Sequence, residues 1–240
     1  MKTRLDRLMV ERGLADSREK AQGLIMAGEV LVNGQKAVKS GQPVADDAPV
    51  TVLARPPYVG RGGLKLAGAL SHFAIDASGK VCLDIGSSTG GFTDALLQAG
   101  AARVHSVDVG AGQLDWKLRT DPRVVLHERI NARDLKFEQI GEQVDLVVCD
   151  VSFISVTLIL PAAVPFLRPG GQMVILVKPQ FEAGRGQVGK GGIVRDPAIH
   201  QAACDRVAGA VRQFGFETGM MESPILGAEG NKEFLLYAHH

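Results

Sequence analysis

Apolar and polar positions change their period near residue 79 of this chain. Ahead of that point, Leu5, Leu8 and Met9 recur at helical spacing within residues 2–12, with Arg4, Arg7 and Arg12 among them. Gly13 is placed to end that helix. A second amphipathic helix follows in "DSREKAQGLIMAGEV", capped by Asp16 or Ser17, with Ala21, Leu24 and Ile25 on its apolar face. "EVLVNGQKAV" then reads as two short strands around an Asn33–Gly34 turn, a pair that supplies the positive φ angles of a tight hairpin. "VTVL" closes this small α+β module near residue 53.

Beyond residue 79 the chain alternates regularly. Strand "KVCLDIG" precedes helix "GFTDALLQAG", strand "ARVHSVDVG" precedes helix "AGQLDWKLR", and strands "RVVLHE" and "QVDLVVCD" follow. Helix "SVTLILPAAVPFL" leads to strand "GQMVILVK". Asp196–Pro197 caps a long helix running to about residue 214, and "FETGMMES" and "KEFLLYAH" end the chain as two consecutive strands. Strands alternating with helices predict a doubly wound α/β sheet of parallel strands, and the closing strand pair predicts an antiparallel last strand. Between the two patterns lies "RPPYVGRGGLKL", stiffened by two prolines and loosened by three glycines. The expected division is a module at 1–54, a linker at 55–61 and a larger domain at 62–240.

Charge sharpens this division. The chain is only +1 overall, but residues 1–65 carry 11 Lys and Arg against 7 Asp and Glu, and residues 66–240 carry 16 against 19. A front of net +4 on a body of net −3 points to a polyanionic partner for the front, although scattered solvated charge gives the same count. Three cysteines, with Cys82 and Cys149 inside apolar strands, fit reduced core residues rather than a disulfide framework. The N-terminus is charged and amphipathic, unlike a secretory leader, and the longest apolar run has 12 residues and two prolines, too short to span a bilayer. The expectation is a soluble cytoplasmic protein without a membrane partner.

Candidate chemistry begins at "LDIGSSTGGFTD". A strand, a glycine turn and a helix start let a ligand approach bare backbone, so Gly86, Ser87, Ser88, Gly90, Gly91 and Phe92 are candidate cofactor contacts. The spacing is neither the dinucleotide G-x-G-x-x-G nor a P-loop. Asp108, at the end of the second strand, can accept hydrogen bonds from ribose hydroxyls. Asp84 could meet an amino group, and Asp134 follows the third strand where an adenine would lie. Any one of these acids could be a turn cap. Three at successive strand ends fit a ligand with a ribose, an adenine and an amino acid, namely S-adenosylmethionine.

"LDIGSSTGGFTD", "VDVGAGQL", "CDVSFIS" and "LVKPQFEAGRGQVGKGGIVRD" resemble the TlyA-type family of ribosomal RNA 2′-O-methyltransferases, also known as hemolysins, whose catalytic domain is similar to FtsJ-type enzymes. "RLDRLMVERGLADSREKAQGLIMAGEVLVNGQ" resembles the alpha-L RNA-binding module of ribosomal proteins and pseudouridine synthases. The resemblance implies ribosomal RNA, or a ribosomal subunit, as partner and cytidine as target. FtsJ-like enzymes use a Lys-Asp-Lys-Glu tetrad, and the matching positions are Lys65, Asp150, Lys178 and Glu233. Strand logic independently brings them to one edge: Asp150 and Lys178 end parallel strands, Glu233 begins the antiparallel one, and Lys65 rides on "GGLKLAGALSHF". Asp150 is also a candidate cofactor contact.

In that chemistry a ribose hydroxyl attacks a methyl carbon in line with the leaving sulfur, and positioning supplies much of the rate. Lys178 is the candidate to orient the hydroxyl. As a base it must be neutral. Burial and Lys65 favour that form, Asp150 and Glu233 oppose it, and the sequence leaves both possibilities open. "DVSF" is not the Asn/Asp-Pro-Pro-aromatic run of base-amino methylation, and Cys149 is a core residue rather than a cytosine-C5 nucleophile. No metal-ligand motif is present. Arg4, Arg7, Arg18, Lys20 and Lys36 of the front module are candidate phosphate contacts, as are Arg185, Lys190 and Arg195 of the glycine-rich stretch "EAGRGQVGKGGIVRD". The rival readings are a non-catalytic RNA-binding assembly factor and a cytolysin. Oligomeric state is not legible.

Overall fold

The structure is a computed structural model that describes residues 2–53, 56–184 and 186–240. The chain divides into two compact units, Met1–Pro56 and Pro57–His240.

In the first unit, β1 (Lys2–Arg4) leads into α1 (Leu5–Glu11) and α2 (Arg18–Met26), followed by β2 (Val30–Val32), β3 (Gln35–Lys36), β4 (Pro43–Ala45) and β5 (Val50–Val52). Ser17 is the cap of α2, accepting the Lys20 N–H at 3.2 Å. Asn33 and Gly34 take φ of 52° and 77° and turn β2 into β3. β5 joins the other side of β2, with Leu31 opposite Thr51. Leu5, Leu8, Met9, Ala21, Ile25 and Val30 form the core. Residues 2–4 differ from the expected helix: they pair antiparallel with β4, Thr3 opposite Val44, and the helix starts only at Leu5.

The second unit opens with α3 (Gly62–His72), β6 (Val81–Ile85), α4 (Gly91–Gln98), β7 (Arg103–Asp108), α5 (Trp116–Arg119) and β8 (Val124–Glu128). It continues with α6 (Phe137–Ile140), β9 (Val144–Cys149), α7 (Leu160–Ala163), β10 (Leu167–Val177) and α8 (Pro179–Glu182), and ends with α9 (Pro197–Arg212), β11 (Glu217–Glu222) and β12 (Phe234–His239). Seven strands form one sheet in the order β11-β12-β10-β9-β6-β7-β8. β12 is antiparallel to both neighbours and the pairs from β10 to β8 are parallel. This is the doubly wound sheet with an antiparallel last strand that the alternation predicts.

Helices cover both faces. Leu66, Ala69 and Leu70 of α3 pack with Phe92 and Leu96 of α4 on one face, while Cys204, Val207 and Val211 of α9 pack with Phe166 and Ile175 on the other. Each such leucine contributes about 1.5–3 kcal/mol by leaving water, which anchors α3 firmly against the sheet.

Two expected helices are shorter than the pattern suggests. "AGQLDWKLR" yields only the four residues of α5, capped by Asp115, because Leu114 is drawn under the glycine loop, where a Cβ on Gly90 would lie 2.8 Å from it. Residues 156–166 break into a 3-10 turn, α7 and a second 3-10 turn. Pro161 and Pro165 lack the N–H that a continuous helix needs. No described helix is long and apolar enough to cross a membrane.

Candidate active site

The glycine loop follows β6 at the carboxyl edge of the sheet. Gly86 has φ +84°, and a Cβ there would sit 2.6 Å from the Asp150 carbonyl oxygen, so only glycine lets the loop lie against β9. The N–H groups of Gly86 and Ser87 both donate to the Val107 carbonyl, tying the loop to β7. Gly90 caps α4 in the left-handed region and Gly91 opens it. Phe92 and Ser87 are buried, and Ser88 is exposed.

The candidate acids fall in three different settings. Asp108 accepts N–H bonds from Ser88 and Gly110, both at 2.7 Å, one on each oxygen. Its carboxylate is thereby fixed on the wall of a cleft of about 420 Å³, with lone pairs to spare for hydroxyl donors. Asp84 is fully buried beneath the loop, where Thr93 Oγ1 donates to it at 2.6 Å, and it does not line the cleft. Burial pushes its carboxyl up to about 7. Asp134 ends a 3-10 turn, exposed and also outside the cleft lining.

Asn131, Ala132 and Arg133 occupy the wall near Asp134 instead, and Val109, Ile130 and Ile159 make much of the cleft apolar. Sequence reasoning missed them because Val109, Ile130 and Ile159 look like ordinary core and residues 131–133 like an ordinary turn.

A smaller cavity of about 220 Å³ adjoins the cleft, sharing Gly86, Ser88, Asp150 and Ser152 with it and reaching Lys178. Asp150 and Lys178 line it, while Lys65 and Glu233 do not. Val177 stands opposite Phe234 in the register of β10 and β12, so Lys178 and Glu233, the next residues out, face each other across that edge. Asp150 ends β9 beside them. Gly62, at the start of α3, comes close enough that a Cβ there would lie 3.7 Å from Asp150 Oδ2, and Lys65 sits one turn later.

The four resolve into two ion pairs: Lys178 Nζ is 2.6 Å from Asp150 Oδ1, and Lys65 Nζ is 2.5 Å from Glu233 Oε2. Lys65, Lys178 and Glu233 are buried. Desolvating two lysines and their partners is costly, so such a cluster is a poor stabilising device.

Further residues tune the cluster. Lys178 Nζ also donates to Ser152 Oγ at 2.7 Å. Phe153 has φ +65°, is 91% exposed, and sits 5.1 Å from the Phe181 ring at a tilt. Glu182 is buried, accepts from Ser155 Oγ at 2.6 Å and the Val156 N–H at 2.7 Å, and so ties α8 to the loop after β9. Burial raises the Glu182 carboxyl above the ordinary glutamate range, against those two hydrogen bonds. The "DVSF" run was the available signal, but sequence gives it no hydrogen-bond partner.

Residues 57–61, read from the sequence as linker, are fastened to α4. Asp94 accepts the Val59 N–H at 2.9 Å, and Gln98 donates to the Pro57 carbonyl at 2.8 Å. Arg55 lies outside the described residues.

The candidate phosphate contacts of the first unit are not equivalent. Arg4 and Arg18 both reach Oδ2 of the fully buried Asp6, at 2.9 and 3.2 Å, while keeping about half of each side chain exposed. The Arg4 guanidinium, with Gln22 and Arg18, holds the Asp6 carboxyl far below the usual aspartate range. Arg7 pairs with Glu11 and Lys20 with Asp16, both exposed and one helical turn apart. Lys36 is exposed. In the second unit Lys190 and Arg195 are exposed, and Arg185 lies outside the described residues.

Comparison with known proteins places this geometry in context. The family model for FtsJ-like methyltransferases matches residues 58–240, and that for the S4 domain matches residues 3–48. The 16S/23S rRNA (cytidine-2′-O)-methyltransferase TlyA of Mycobacterium tuberculosis is 49% identical over 98% of this chain and 89% of its own. Hemolysin A of Brachyspira hyodysenteriae is 44% identical over 98% of both chains. A solved Streptococcus thermophilus structure that carries the hemolysin name is 44% identical, with a TM-score of 0.75 over 99% of this chain and 88% of its own.

Proposed function

This chain belongs to the FtsJ-like methyltransferase family, with an S4 domain ahead of the catalytic unit, and we propose that it transfers the methyl group of S-adenosylmethionine to the 2′-hydroxyl of a cytidine ribose in ribosomal RNA. The observation that carries this reading is the lysine–carboxylate contact Lys178–Asp150 in the cavity beside the cleft, with the buried pair Lys65–Glu233 next to it in the register of β10 and β12. A substrate in ribosomal RNA implies action in the cytoplasm.

The residues of the cleft suit that cofactor. Val109, Ile130, Ala132 and Ile159 offer apolar walls to a flat purine, Asp108 offers carboxylate lone pairs to ribose hydroxyls, and the bare backbone at Gly86 leads toward Asp150. When bound, S-adenosylmethionine supplies a methyl carbon on a cationic sulfur that departs as a neutral thioether.

The chain's own residues then have two tasks. Asp150 and Ser152 aim Lys178 Nζ, and Lys178 holds the substrate 2′-oxygen in line for attack. Lys65 and Glu233, locked to each other, keep the far side of the mouth rigid, so its electrostatic field is in place before substrate arrives. Lys178, held by Asp150 and Ser152, would orient the hydroxyl and lie where its proton is released.

The test is transfer of labelled methyl from S-adenosylmethionine to separated ribosomal subunits and to naked ribosomal RNA, followed by nucleoside analysis. The expected product is a 2′-O-methylated nucleoside, lost in Lys178→Ala. Label on a base, or label undiminished in Lys178→Ala, would overturn the reading.

A further inference from the structure

Asn231 lies two residues ahead of Glu233 and is 3% exposed. Its amide carries bonds in both directions to one distant loop. Oδ1 accepts the Val194 N–H at 3.0 Å, and Nδ2 donates to the Gly192 carbonyl at 3.0 Å. On its own side, its carbonyl accepts the Gly227 N–H at 2.8 Å, closing a short loop against the Glu233 carboxylate. That loop is packed to the limit, since a Cβ on Gly227 would lie 2.0 Å from Glu233 Oε1. The Glu233 carbonyl in turn accepts the Ser223 N–H at 2.9 Å.

Among the described residues, the distant loop has few other bonds. Gly191 and Gly192 have φ of 78° and 75°, and the loop is braced internally by bonds from Gly189 to Ile193 and from Gly192 to Gly189. His200 of α9 donates through Nε2 to the Val194 carbonyl at 2.9 Å. Lys190 and Arg195 flank the docked stretch. Both are exposed, and among the described residues neither forms an ion pair. Arg195 lines a cleft of about 530 Å³ that also takes in Lys232 and His200.

We propose that Asn231 is a positioning residue that joins this basic loop to the Lys65–Glu233 pair, so that one rigid piece presents Lys190 and Arg195 to substrate phosphodiesters and Glu233 to the reaction mouth. The inference rests on the reading of RNA as substrate. A side-chain amide suits the task because it satisfies one buried donor and one buried acceptor of the loop at once. An ionised carboxylate can only accept, so it does half of this. Loss of the amide leaves the Val194 N–H and the Gly192 carbonyl without that partner, and the glycines then let the loop leave.

The experiment combines Asn231→Ala with Lys190→Ala/Arg195→Ala in a double-mutant cycle, reading KM for ribosomal RNA, kcat, and S-adenosylmethionine affinity by calorimetry. Amide hydrogen exchange over residues 189–194 is measured on the same proteins. Asn231→Ala is expected to raise KM for RNA about tenfold, the scale of losing one or two buried hydrogen bonds, with cofactor affinity unchanged. Exchange over 189–194 should accelerate. Removing the two cations in the Asn231→Ala background should add little, because they are already displaced.

Additive effects on KM, or unchanged exchange over 189–194, would overturn the proposal. If Asn231→Ala fails to fold, Asn231→Asp, which keeps an acceptor for Val194 but no donor for Gly192, provides the same readouts. Failure of the RNA reading is separately visible as absence of methyl transfer by the unaltered protein, while the exchange arm still reports whether Asn231 holds the loop.

Discussion

Lys65 Nζ and Glu233 Oε2 stand 2.5 Å apart although 168 residues separate them in the chain. α3 and β12 meet at this contact, and both side chains are nearly sealed from solvent. A buried pair of this kind recovers little net free energy from its own attraction, but breaking it leaves an uncompensated charge.

Glu233→Ala or Lys65→Ala alone should therefore destabilise the catalytic unit by about 3–5 kcal/mol, measured by urea unfolding. The double replacement Lys65→Met/Glu233→Leu should restore most of that stability without restoring methyl transfer. A double variant that regains activity along with stability would show that the pair is structural only.

Ser152→Ala removes the hydroxyl that receives the Lys178 N–H while leaving the Lys178–Asp150 contact in place. Ser152 is exposed, so folding stability should change by less than about 0.5 kcal/mol. The expected signature is a fall in kcat of about tenfold, the scale of one lost aiming hydrogen bond, at unchanged S-adenosylmethionine affinity. Glu182→Gln tests the same loop from behind: its effect on kcat should be partly shared with Ser152→Ala rather than additive.

The outline of this arrangement is legible in the sequence. Alternating strands and helices fixed the doubly wound sheet, and strand ends marked Asp150 and Lys178. The terminal hairpin then brought Glu233 to the same edge. Pairing was not readable, because it depends on side-chain reach across elements: nothing in the sequence says that Lys65 takes Glu233 and Lys178 takes Asp150. Asp84 shows the opposite limit. Its place at the end of a strand suggests ligand contact, yet the pleat turns it under the glycine loop, a distinction of face that one residue of register decides. The strand Lys2–Arg4 was hidden by the helical spacing just after it, since three residues carry no period of their own.

Arg4 and Arg18 converge on one oxygen of Asp6, whereas Arg7 and Lys20 are engaged by exposed acids one turn away. Phosphate binding should follow the first two. Arg4→Ala or Arg18→Ala is expected to lower the slope of log affinity against log salt by about 1, the loss of one phosphate contact, while Arg7→Ala leaves it nearly unchanged. Filter binding to ribosomal RNA over a range of potassium chloride measures this. Equal slopes for all three variants would mean that the Asp6 cluster organises only the fold of the first unit.

Asp84 makes a pH prediction whose sign is fixed. Its carboxyl is pushed by burial up to about 7, against about 3.9 in an unfolded chain. Between those values the folded state binds more protons than the unfolded one, so the stabilising contribution is complete below about 4 and is lost as pH rises to about 7. The slope reaches about 1.4 kcal/mol per pH unit. His127 works in the opposite sense: burial, reinforced by His105, lowers its titration point, so its contribution is lost as pH falls below the ordinary histidine value. The two overlap in the wild-type profile, and Asp84→Asn separates them. The amide keeps the shape and an acceptor for Thr93 Oγ1, which donates to Asp84 at 2.6 Å. Subtracting the Asp84→Asn profile from the wild-type profile, by urea unfolding at pH 5, 6, 7 and 8, should leave a difference that falls steeply between pH 5 and 7 and levels off only toward pH 8. A difference that is flat throughout would mean that Asp84 is ionised in the folded protein over the whole range, with its charge balanced by some group other than Thr93.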